Sequence, residues 1–192
     1  MATAVVSSGP YIELGTDEPG IRGLFRYRPE TALPLNQLCE VLFCTDSTLT
    51  RGERELIATY VSSLNKCRFC FQTHAAFAAR RLPAGMTQVL QVCSDLDTAP
   101  VGPKLRALLG IAGAVQEGGR AVSQRHVIAA RDAGATDLEI HDTVLIAAAF
   151  CMFNRYVDGL GTTASSDPAH YEERADLAEG YLKVLADAQR QT

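Results

Sequence analysis

A capping box followed by an unbroken apolar run constrains this chain more than any other feature. Thr136-Asp137-Leu138-Glu139 sets a hydroxyl and a carboxylate three residues apart, as a helix start requires, and no charged or amide side chain interrupts Val144 to Phe153. A helix over 136–159 is predicted, and Leu145 to Phe153 is more apolar than one face needs. Burial on all sides is expected, in a core or between subunits. The run is about half a membrane span, so no membrane partner is expected.

Other helical signals surround it. Leu35, Leu38, Val41 and Leu42 form an apolar stripe, and Thr50-Arg51-Gly52-Glu53 is a second capping box, opening a helix over 51–65 whose inner face is Ile57, Val61 and Leu64. Thr87, after Gly85, caps a short helix through Val89, Leu90 and Val92. Segments 104–115, 123–133 and 168–188 read as further helices. No stretch alternates as a strand, so the fold class is all-α.

Residues 1–33 mix Gly, Pro and charge without periodicity and read as an irregular arm wrapping the body or a neighbouring subunit. The remainder, 34–192, is one all-α domain, since 192 residues at 47% hydrophobic supply one core. Ser94 to Pro103 breaks the helical pattern and separates half-repeats 34–93 and 104–165 from a C-terminal helix over 168–188. Across that break Ala78-Ala79-Arg80 leading to Ala84-Gly85-Met86-Thr87 is echoed by Ala129-Ala130-Arg131 leading to Ala133-Gly134-Ala135-Thr136, with spacings that differ by two residues. A duplication would leave the cysteine pair in the first copy alone.

A net charge of -4 with no run of Lys and Arg excludes a nucleic-acid footprint. The start M-A-T-A-V-V-S-S-G-P lacks the basic and apolar regions of a secretory signal, so a cytoplasmic location is expected. There a close cysteine pair points to catalysis or metal rather than a static crosslink. Cys39, Cys44, Cys93 and Cys151 lie in apolar helical patterns and read as small buried hydrophobes.

The chemistry concentrates between Glu55 and His74. Cys67, Cys70 and His74 at i, i+3 and i+7 share one helix face. In one uninterrupted helix Glu55 would lie about 18 Å from Cys67 along the axis. A break at Asn65-Lys66, where Asn suits a helix end, makes two antiparallel helices and lets Glu55 face His74. Cys67 and Cys70 then occupy the first turn of the second helix, where orphan amides and the dipole favour a thiolate. Cys70 beside His74, with Glu55 orienting the ring, is the pattern of an activated nucleophile, and Cys67 could attack a sulfenic acid on Cys70 to close a disulfide. Four other uses of these residues stay open: a zinc site of Cys67, Cys70, His74 and Glu55, although no second Cys/His pair is present; inert packing; redox sensing; and dithiol-disulfide exchange.

Glu55, eleven residues, Cys-x-x-Cys, three residues, His74, with Arg54-Glu55-Leu56-Ile57-Ala58 at its head, resembles the alkylhydroperoxidase D branch of the carboxymuconolactone decarboxylase-like family. The stretch Ala130 to Leu160 is similar to its peroxidase-related members, and the resemblance spans about 35–165. It implies an AhpD-like helical bundle assembled as trimers or hexamers, reducing organic hydroperoxides or hydrogen peroxide with no cofactor. By resemblance Cys70 is the peroxidatic cysteine, Cys67 the resolving one, and His74 and Glu55 the proton relay. An external dithiol, lipoyl-type by resemblance, would be the reductant. The family's decarboxylase branch does not use this cysteine pair. One departure stands out: the family's best-studied pattern has a histidine directly before the second cysteine, where this chain has Phe69. Losing that imidazole alters the rate, the thiol acidity and the reductant, and a drier site favours bulkier organic peroxides.

Outside this constellation His141 and Asp142 read as capping and hydrogen-bonding groups. Arg155 and Asp158, one turn apart, read as an ion pair in a structural network with Asn154, while His126 and His170 have no visible partner.

Overall fold

The computed structural model describes residues 9–177 and 180–183. Its helices are α1 (Ile21–Tyr27), α2 (Pro29–Cys44), α3 (Arg51–Leu64), α4 (Arg68–Ala79), α5 (Gly85–Ser94), α6 (Pro103–Glu117), α7 (Gln124–Asp132), α8 (Asp137–Gly159) and α9 (Ala169–Leu177), with a 3-10 turn at Gly119–Ala121. Among the described residues there is no strand, so the fold is all-α. Among them, too, no helix is long and apolar enough to cross a membrane.

Both capping boxes form as the sequence predicts. The Thr50 hydroxyl accepts from the Glu53 N–H at the head of α3, and the Thr136 hydroxyl accepts from the Glu139 N–H at the head of α8. Their effect reaches beyond the helix ends, because Glu139 is 1% exposed and ties three elements together. Its carboxylate accepts from Lys104 Nζ at 2.7 Å, from the Thr48 hydroxyl at 2.9 Å and from the Thr136 N–H at 2.8 Å. Burial alone would raise its pKa, but these donors, Lys104 foremost, hold it down at about 2.

The core forms around α3, which packs against α2, α4, α5, α6 and α8. Leu56, Ile57, Ala58 and Val61 are fully buried, as are Glu55, Thr59 and Ser62. Being surrounded, α3 buries most of its circumference rather than one stripe, and Leu64, expected inside, is 37% exposed at its end. In α8, Ile146, Ala147, Phe150, Phe153 and Val157 face inward, whereas Leu145 and Met152 are exposed. The expected burial of α8 on all sides therefore does not occur within one chain. Beside this bare stripe lies an apolar groove of about 490 Å³ lined by Val115, Gly119, Val122, Val144, Ala148 and Cys151.

Three local expectations need correction. The stretch 21–33, expected to be irregular, contains α1 and the start of α2. Pro29 acts as an N1 residue, already set for helical φ, rather than as a breaker, and Glu18 receives both Arg22 and Arg26 across α1. Residues 9–20 are irregular and wrap the body, with the Tyr11 and Gly20 N–H groups each donating at 2.9 Å to the Leu160 and Thr163 carbonyls; residues 1–8 of the expected arm lie outside the described residues. Second, α5 starts at Gly85 rather than after Thr87, because a positive φ of 56° at that glycine makes the entering turn. Third, the helix expected over 168–188 is not continuous: α9 covers Ala169–Leu177, Gly180 is non-helical, and 181–183 is helical again. Residues 178–179 and 184–192 of that expectation lie outside the described residues.

Candidate active site

The break expected at Asn65-Lys66 is present and builds the site. Asn65 caps α3, and Lys66 takes the left-handed conformation with φ 60°. That reversal lets the Cys67 N–H donate to the Ser62 carbonyl at 3.0 Å and starts α4 at Arg68. Cys67 is thus the N-cap residue of α4 and Cys70 lies in its first turn, one turn ahead of His74. The resulting α3–α4 hairpin brings Glu55 to His74, with Glu55 Oε2 2.7 Å from His74 Nδ1. A carboxylate can only accept here, so Nδ1 carries the hydrogen and Nε2 is left as the basic nitrogen.

All four residues are deeply buried: Cys67 and Glu55 at 0%, Cys70 at 5% and His74 at 8% exposure. Glu55, which charged neighbours would by default put on a solvated face, instead lies within the core. Arg51 Nε stands 3.6 Å from its Oε1 and offsets part of the desolvation. The imidazole lies in an aromatic box, edge-on to Phe150 at 4.5 Å between ring centres and flanked by Phe43 and Phe77. Phe69 packs against Tyr171 and directly over Gly20, where its ring leaves no room for a Cβ. With φ of 59°, only glycine suits that position.

The neighbouring Cys70 thiol, then burial, and least the Asp158 charge push the Cys67 thiol far up, so it stays protonated at rest. Arg155 does not form the expected ion pair with Asp158 and donates instead to the Cys151 carbonyl at 2.8 Å. Asn154 does enter an interior network, accepting from Asn65 at 2.9 Å and donating to Ser62 at 3.1 Å, while Gln116 donates to Asn65 at 3.0 Å. These amides fix the hairpin turn against α6 and α8.

Tyr181 was not legible as a site residue. Its hydroxyl donates to Glu55 Oε1 at 3.2 Å, and its ring lies parallel to His74 at 6.5 Å. Burial, then the Glu55 charge, push the phenol well up, so it remains a donor. Glu40 holds it there, accepting from the Tyr181 and Leu182 N–H groups at 2.7 and 3.2 Å. Tyr181 lies 126 residues from Glu55 in a segment without internal spacing cues, so no sequence signal was available.

The remaining polar candidates are structural in their contacts. His141 Nδ1 meets the neighbouring Asp142 at 3.0 Å on an exposed turn, and His126 Nδ1 accepts from the Ser123 N–H at 3.1 Å as part of a third helix cap. His170 packs edge-on against Tyr171. Cys39, partly buried against the core, has its thiol pushed up by burial and then by the Glu55 charge. Among the described residues no group of three or more His, Cys, Asp or Glu side chains is arranged to hold a metal ion.

A helical hairpin that buries a dithiol beside a carboxylate-bound imidazole, within an all-α bundle, defines the class of protein. The chain belongs to the carboxymuconolactone decarboxylase family, whose model matches it twice, over residues 29–88 and 82–164. The two matches meet at the α4–α5 junction, ahead of the break at 94–103. No curated protein matches the chain. Among solved structures it is similar to the alkylhydroperoxidase AhpD core of an uncharacterized peroxidase-related protein from Ralstonia eutropha JMP134, at 27% identity over 78% of each chain with a TM-score of 0.70. It also shares its fold with an uncharacterized peroxidase-related protein from Silicibacter sp. TM1040, at 23% identity over 80% of this chain and 78% of that one, TM-score 0.71.

Proposed function

We propose that this protein is a thiol peroxidase that reduces organic hydroperoxides or hydrogen peroxide through Cys70 and Cys67. The observation that carries the proposal is the buried 2.7 Å contact between His74 and Glu55 on the hairpin that also holds the dithiol. His74 Nε2 takes the Cys70 thiol proton, and the thiolate attacks the distal peroxide oxygen. As the O–O bond breaks, the same proton passes to the departing alkoxide, leaving alcohol and a sulfenic acid on Cys70. Cys67 then displaces hydroxide from that sulfenic acid, water forms, and an external dithiol reopens the disulfide while being oxidised itself. Glu55 stabilises the imidazolium that appears in the first step and fixes the ring tautomer.

The test is one equivalent of cumene hydroperoxide added to the fully reduced protein, followed by thiol alkylation, intact mass and peptide mapping, with hydrogen peroxide in parallel. The expected product is a Cys67–Cys70 disulfide, formed faster from the organic peroxide because the aromatic surroundings of His74 are dry. If both cysteines stay alkylatable while oxidation scatters slowly over the other four, the pair is not peroxidatic. Preference for hydrogen peroxide would contradict the dry-site argument alone.

Tyr181→Phe is expected to lower the oxidation rate roughly fivefold, matching the loss of a hydrogen bond of about 1 kcal/mol to Glu55. Helical circular dichroism should be unchanged. A rate within about twofold of wild type would show that the phenol contributes nothing to the relay.

A further inference from the structure

The contacts of Tyr181 lead back to α2. Glu40, toward the C-terminal end of that helix, meets a segment 141 residues further along the chain. Its Oε2 accepts from the Tyr181 N–H at 2.7 Å and from the Leu182 N–H at 3.2 Å, charge-assisted bonds to amides that open the helical stretch 181–183. The absence of a side chain at Gly180 permits this approach, since a Cβ there would fall 3.0 Å from Glu40 Oε1. Phe43, one turn after Glu40, sets its ring 5.5 Å from that of Tyr181 and 5.7 Å from that of His74. One helix therefore fixes the backbone of the C-terminal segment and seats its ring.

Resting on the peroxidase proposal, we infer that Glu40 is a positioning residue of the relay, holding the C-terminal segment so that the Tyr181 hydroxyl stays on Glu55 Oε1. Both oxygens of Glu55 are then engaged, Oε2 with His74 at 2.7 Å and Oε1 with the phenol at 3.2 Å. A carboxylate held at both oxygens is kept from turning. The hydrogen therefore stays on His74 Nδ1, and Nε2 stays free to take the Cys70 proton.

Arg51 indicates what the phenol works against. Its Nε stands 3.6 Å from the same Oε1, one turn back along α3. Without the phenol, that cation would draw the carboxylate toward itself and away from the imidazole. Glu40 acts on this balance through Tyr181, so loss of either residue releases the same hydrogen bond on Glu55, and losing both releases nothing more.

The test measures the rate of Cys67–Cys70 disulfide formation after one equivalent of cumene hydroperoxide. It compares wild type, Glu40→Ala, Glu40→Ser, Glu40→Gln, Tyr181→Phe and the Glu40→Ala/Tyr181→Phe double variant, with helical circular dichroism as the check on folding. Glu40→Ala should slow closure roughly fivefold, the loss expected of Tyr181→Phe. Glu40→Ser, too short to reach the two N–H groups, should match it and stands in if the alanine variant does not fold. Glu40→Gln keeps an acceptor oxygen and should stay within about twofold of wild type. The double variant should be slowed no more than roughly fivefold, whereas independent effects would multiply to about twenty-five-fold. Closure at the wild-type rate in Glu40→Ala or Glu40→Ser overturns the inference and leaves the peroxidase proposal standing. A double variant slowed by the full product also overturns it, because Glu40 would then act apart from the phenol. Equal slowing in Glu40→Gln and Glu40→Ala does the same, since the acceptor oxygen would not be what matters. Absence of the disulfide in wild type sinks the peroxidase proposal, and the inference with it.

Discussion

Cys70→Ser is expected to lower hydroperoxide turnover by at least about a thousandfold, because a serine hydroxyl in the same first turn of α4 is not ionised by a neighbouring imidazole to any useful extent. Cys67→Ser should behave differently. Peroxide would be consumed once, up to one equivalent per chain, and the sulfenic acid would persist on Cys70 because its partner sulfur is gone. The split between the two variants is the informative quantity, since both remove a buried sulfur of similar size. Steady-state turnover with a dithiol reductant, beside single-turnover mass spectrometry, measures it. Equal turnover in wild type and Cys70→Ser would end the assignment of Cys70 as the nucleophile; an exchange of the two phenotypes would reverse the roles of the two cysteines.

The largest effect on stability is expected at Glu139. Replacing it with alanine removes the buried acceptor for Lys104, for Thr48 and for the helix-starting N–H of Thr136, donors that are partly or fully exposed and turn to water instead. Losing the charge-assisted hydrogen bonds to one buried carboxylate costs roughly 3 kcal/mol, less than a fully buried network would, since Lys104 is 35% exposed and recovers some hydration. For a chain of this length that corresponds to a fall in Tm of roughly 10 °C. Acidity provides a second check on the same residue. The folded-state pKa near 2 lies below the ordinary 4.5, so the contribution is fully present above the ordinary value and is lost as pH falls toward 2. The Tm gap between wild type and Glu139→Gln should therefore be wide at pH 7 and narrow at pH 3. A gap that is the same at both values would show that the Glu139 charge is not what stabilises the α6–α8 junction.

Local rules made much of the fold legible. The hydroxyl-to-carboxylate spacings at Thr50 and Thr136 encode their helix starts within four residues, and the structure keeps both. The turn at Asn65 was equally accessible, because its cause, an amide suited to a helix end, lies in the residue itself. Once that turn is granted, the meeting of Glu55 with His74 follows from helix geometry. Pro29 misled, since a proline at N1 and a proline that breaks a helix look alike until the neighbouring backbone is known. The α8 stripe misled for another reason: composition tells how much apolar surface exists, not which part of it the chain covers. Tyr181 was out of reach because its partner is set by how the C-terminal segment packs on the hairpin.

The same difference in reach governs the order in which the site can assemble. Glu55 and His74 are 19 residues apart, whereas Tyr181 is 126 residues from Glu55. Closing the longer loop costs about 1.7 kcal/mol more chain entropy, before any stiffness is counted. The hairpin contact also needs only α3 and α4 to be present, while the phenol contact waits for nearly the whole chain to emerge. A nascent chain in which the hairpin has closed therefore has its dithiol and imidazole side by side before Phe150 of α8 and Tyr181 are there to cover them. Until then the thiols are open to any oxidant in their surroundings, and the speed of the later packing, rather than the stability of the hairpin, sets how long they remain so.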